Sequence, residues 1–111
     1  MTTLTSLLDH LYEGDVVDTA DLARVSETNP RSVSRWRSQE TTPRRESEER
    51  LLELRAVVDL ARTVMSDDAA RFWLRSPNRN LGYEKPLDLI AEGAYQRVVD
   101  LLLALAEGVT T

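Results

Sequence analysis

Five arginines within fifteen residues, Arg31, Arg35, Arg37, Arg44 and Arg45, are the strongest chemical signal in this chain. Glu40 is the only acid among them, so segment 31–45 carries net +4, whereas residues 1–30 carry net −5 and the whole chain −5. A guanidinium is permanently charged and presents a planar fork of donors, which suits phosphate oxygens and guanine edges. Screening confines each charge to about 8–10 Å, so a basic stripe can bind phosphate even on an acidic protein. The competing reading is a solvated arginine-rich face.

No residue set points to catalysis. The chain has no cysteine and one histidine, His10, which cannot form a metal site alone. Ser76 has no base near it in sequence, and no glycine-rich phosphate loop is present. Glu84 and Asp88 are four apart across Pro86; a carboxylate pair there is better explained as solvated surface. The expectation is a binding protein with no catalytic residue, cofactor or metal. The longest apolar run, Leu101 to Ala106, is far short of the roughly 20 residues a membrane span needs. The start of the chain lacks the basic region of a signal peptide, and the lack of cysteine suits a reducing compartment. The expected setting is cytoplasmic, with no membrane partner.

These residues must be positioned by helices, because helical spacing recurs along the chain and alternating strand patterns are absent. Leu4, Leu7, Leu8 and Leu11 mark a first helix, ended by Gly14 and Asp15. Asp18 caps a second, about 19–25, with Asp21 placing charge in its first turn. Asn29–Pro30 opens a third, to about Ser38, with Val33 and Trp36 inward. Ser47 is expected to open a long helix to about Met65, and Ser66 caps a fifth through Arg75. A turn-rich loop, 76–85, precedes a short helix from Pro86 to about Glu92. Gly93 separates it from a last helix, about 94–107, whose apolar residues exceed one face. The fold class is all-α: an N-terminal helix-turn-helix subdomain (1–65) with its long linking helix, then a C-terminal helical subdomain (66–111).

Two short helices joined by a tight turn, the second opening on small polar and basic residues, form a helix-turn-helix over Asp18 to Ser38. The run Asp21-Leu22-Ala23, then Arg31-Ser32-Val33-Ser34-Arg35-Trp36, resembles the Xre/Cro-like helix-turn-helix family. Arg31, Ser32, Ser34, Arg35 and Arg37 are its candidate DNA contacts. This chain departs from the pattern in the turn, where Glu27 occupies the usual glycine position and Thr28 the apolar one after it. The alternative is a packing module without DNA contact.

The C-terminal half carries a second resemblance. Phe72-Trp73-Leu74-Arg75-Ser76-Pro77-Asn78-Arg79-Asn80-Leu81, Lys85-Pro86-Leu87-Asp88-Leu89-Ile90, and Gly93-Ala94-Tyr95-Gln96-Arg97-Val98 resemble the toxin-binding domain of the Xre/MbcA/ParS antitoxins. The family's Trp, Pro-Asn pair, second Pro, Gly and Val/Leu-rich last helix appear in order. The resemblance implies a type II antitoxin whose partner is a RES-domain toxin that depletes NAD. It implies occlusion of that toxin's active site, self-association, a hetero-oligomer with the toxin, and autorepression at operator DNA. The candidate toxin contacts it implies are Trp73, Pro77, Asn78, Arg79, Asn80, Leu81, Tyr83, Lys85, Pro86, Tyr95, Arg97 and the tail residue Val109. The competing function is a stand-alone helix-turn-helix regulator with a C-terminal dimerisation domain.

Overall fold

The computed structural model describes residues 3–108. Seven α-helices form there: α1 Leu4–Tyr12, α2 Thr19–Val25, α3 Pro30–Arg37, α4 Arg45–Val64, α5 Asp67–Arg75, α6 Pro86–Ala91 and α7 Tyr95–Ala106. No strand appears among the described residues, so the fold is all-α as expected.

Local chemistry sets most helix starts. Asp18 and Asp21 form a reciprocal capping box, with N–H···O distances of 3.0 and 2.9 Å. The Asn29 side-chain oxygen Oδ1 accepts from Ser32 N–H at 2.9 Å, with Pro30 in the first turn. Ser66 caps α5 through Ala69 N–H at 3.1 Å. The long helix departs from expectation at its start. It begins at Arg45, and Ser47 lies inside its first turn, buried. Its hydroxyl donates to the Ser26 carbonyl oxygen at 3.0 Å. A polar residue that looked like a helix opener instead fastens α4 to the turn after α2.

The buried side chains form one cluster that crosses Met65 and Ser66, from Leu7, Leu8 and Leu11 of α1 to Val98, Leu101 and Leu102 of α7. α4 lies against α7, while α6 packs on both α2 and α7. His10 reaches Asp59 at 2.7 Å, tying α1 to α4.

Candidate functional site

The turn between α2 and α3 is built without glycine. Glu27 adopts φ +55°, the left-handed conformation expected at that position. Thr28 N–H donates to the Ala23 carbonyl at 2.8 Å and Glu27 N–H to that of Arg24 at 3.2 Å, closing the end of α2. This turn presents the N-terminal end of α3 outward. Arg31, Ser34 and Arg35 are exposed, and Ser32 is half-buried by its role in the cap. Arg31 and Arg35 have no ion-pair partner among the described residues. Arg37 is exposed but braced, its guanidinium 4.3 Å from the centre of the Tyr12 ring. The Tyr12 hydroxyl is hydrogen-bonded to the Thr19 hydroxyl at 2.7 Å. The five candidate DNA contacts thus share one helix, and three carry free polar ends.

The loop after α5 is ordered by its backbone. Asn78 N–H donates to the Glu84 carbonyl at 3.0 Å, and Tyr83 N–H to the Asn78 carbonyl at 2.8 Å. The Asn78 side chain accepts from Asn80 N–H at 2.9 Å, starting a 3-10 turn over Arg79–Leu81. Gly82 and Tyr83 follow at φ +65° and +66°. The candidate toxin contacts divide accordingly. Leu81 and Pro86 are buried, Trp73 and Tyr95 pack half-buried on the core, and Asn78 organises the loop. Pro77, Arg79, Asn80, Tyr83 and Arg97 are exposed. Asn80, Leu81 and Arg97 come together with Asp100 and Leu101 around one open groove of about 450 Å³ between the 3-10 turn and α7. Lys85 lies apart, in a recess of about 180 Å³ shared with Asp21, Arg24, Arg75, Leu87 and Asp88. Val109 falls outside the described residues.

That second recess joins the two halves. Arg24 of α2 pairs with Asp88 of α6. Arg75 of α5 pairs with Asp21, lies 3.8 Å from Asp18, and donates to the Val16 carbonyl at 3.1 Å. Burial pushes the Asp21 carboxyl above its ordinary range, against the pull of the Asp18 N–H and the Arg75 guanidinium. Burial also opposes ionisation of Asp18. There the hydrogen bonds from Asp21 and the Arg75 charge prevail and hold it below that range.

Asp100 carried no signal in the sequence; Ser47 read there only as a helix opener, and Arg75 only as the end of α5 and part of the second resemblance. Phe72, named only within that resemblance, is exposed in α5 on the side away from buried Ala70 and Leu74. The signal for Phe72 was present: at about 100° per residue it falls opposite those two positions.

Residues 54–108 match the Antitoxin Xre/MbcA/ParS C-terminal toxin-binding domain, a span that starts inside α4 and holds the groove. The chain belongs to the Xre/MbcA/ParS antitoxin family. Within it, the similarity is to mycobacterial MbcA. The chain is 44% identical over 96 residues to the mycobacterial cidal antitoxin MbcA of Mycobacterium tuberculosis, covering 86% of this chain and 77% of that relative. A second M. tuberculosis protein, described as a probable mycobacterial cidal antitoxin, is 33% identical over 82 residues, covering 74% and 70%. The crystal structure of the M. tuberculosis MbcT–MbcA toxin–antitoxin complex contains a chain that superposes with a TM-score of 0.81 at 36% identity, covering 99% of this chain and 96% of that one.

Proposed function

We propose that this chain is the antitoxin of a type II pair, and that it binds and occludes the active site of a RES-domain, NAD-degrading toxin in the cytoplasm. Residues 66–111 do the binding, while residues 1–65 carry a helix-turn-helix that reads operator DNA and represses its own promoter. The chain acts as a binding protein, not an enzyme, and assembles with the toxin and with further copies of itself. The observation that carries the reading is the groove of Asn80, Leu81 and Arg97 inside the matched toxin-binding domain. The superposition on a member of a toxin–antitoxin complex supports it.

Inhibition needs lasting occupancy, which sets the expected affinity at nanomolar or tighter, about −12 kcal/mol. The test is co-expression with the product of the adjacent gene, scoring NAD content and co-purification. Protection by the wild-type chain, reduced by Arg97→Glu, is the expected result. Truncation before Ser76 is a poor probe, because it removes Leu87, Leu89, Ile90, Val98, Leu101 and Leu102 from the core. Unchecked NAD loss beside the folded full-length chain excludes the toxin assignment. Exposed Leu103 and Leu105 on α7 favour the second reading, a stand-alone regulator that dimerises through its C-terminal half. In that case the chain binds its promoter with no toxin gene beside it.

A further inference from the structure

Two aromatic side chains stand in solvent, one on α5 just before the ordered loop and one within it. Phe72 is 75% exposed and Tyr83 71%, the highest values among the large apolar residues described. Neither supports the fold. Phe72 projects from α5 away from Ala70 and Leu74, while its neighbour Trp73 packs on the core. Tyr83 holds its ring out at φ +66°, a conformation that a bulky residue adopts only under strain. Asparagine or glycine would fit that turn with less strain.

The charge around them is uneven. From Arg71 to Lys85 the chain carries four cations, Arg71, Arg75, Arg79 and Lys85, and one anion, Glu84, although the whole chain is net −5. Arg75 is engaged with Asp21 and Asp18, and Arg71 reaches the Asp15 carbonyl at 3.4 Å. Arg79 is exposed and has no ion-pair partner among the described residues.

We propose that Phe72, Tyr83 and Arg79 are toxin-docking residues whose complement is an apolar recess rimmed by carboxylates on the toxin. This rests on the toxin-binding reading above and gives it a contact chemistry. Charge complementarity selects the occupant: the unpaired Arg79 guanidinium, on one stretch of chain with two protruding aromatics, fits an apolar surface that carries carboxylates. Aromatic and arginine residues are also the side chains that dominate binding energy at protein interfaces.

The experiment measures toxin affinity, free-chain sedimentation and DNA affinity for full-length Phe72→Ser, Tyr83→Asn and Arg79→Glu. All three positions are exposed, so melting temperatures should match or exceed wild type, with Tyr83→Asn the most stable. Toxin affinity is expected to fall at least about tenfold for each. Arg79→Gln should also weaken the salt dependence of toxin binding. Folded variants that bind toxin within about threefold of wild type overturn the proposal while leaving the toxin-binding function intact. Wild-type chain that ignores the toxin overturns the function itself. Toxin affinity kept while self-association or DNA binding is lost reassigns the aromatics to a second copy or to nucleic acid, and likewise overturns the proposal.

Discussion

Glu27 occupies a backbone conformation that costs an L-residue roughly 1–2 kcal/mol when nothing compensates. Its Cα sits where glycine ordinarily closes a helix, so Glu27→Gly should stabilise the protein by about 0.5–1 kcal/mol after allowing for the looser unfolded chain. A melting curve checks this: a rise of a few degrees is expected. The aspartate pair gives a prediction in pH. Asp18, with its pKa lowered on folding, contributes stability that is lost as pH falls through its depressed value. Asp21, with its pKa raised, takes up a proton more readily when folded and so favours the native state as pH falls. The two offset each other, and Asp21→Asn removes the offsetting member. That variant should lose stability more steeply below about pH 4, measured by denaturant midpoints across the acid range. Asp18 and Asn29 were legible as caps because a cap is a local event within three residues. The Asp21–Arg75 pair was not, since its partners are 54 positions apart.

At the level of helices, the turn before α3 is held from outside by Ser47, whose hydroxyl is buried against the Ser26 carbonyl. Ser47→Ala should cost about 1 kcal/mol through that unpaired carbonyl, read as a shifted denaturation midpoint. Promoter binding should weaken with Arg31→Ala or Arg35→Ala, and each phosphate contact removed should lower the salt slope by about one. Titrations at several salt concentrations measure both quantities. Unchanged affinity in both variants would leave the basic stripe as solvated surface. Helix identities were readable because apolar spacing and caps repeat within each segment. The start of α4 was misread because Ser47 resembles an N-cap in type, and only the approach of the α2–α3 turn reveals its other use. The groove was read only in part. Asn80, Leu81 and Arg97 were named separately, but nothing in their spacing shows that the 3-10 turn folds onto α7.

The whole molecule has a single core that both halves line, with α2 held near one end by Arg75 and at the other by Asp88. Leu102, fully buried on α7, illustrates the result. Leu102→Ala should cost about 2–5 kcal/mol and lower the melting point of α1–α3 along with that of α4–α7, giving one calorimetric transition. Separate transitions would show that the ion pairs join two independent bodies. The seam is also a matter of lifetime. A protease that takes hold of either terminus must pull apart the same set of leucines, so it cannot spare one activity while destroying the other. On the function proposed above, the promoter-reading and toxin-restraining ends would be lost in the same event, so loss of the antidote would coincide with release of its gene.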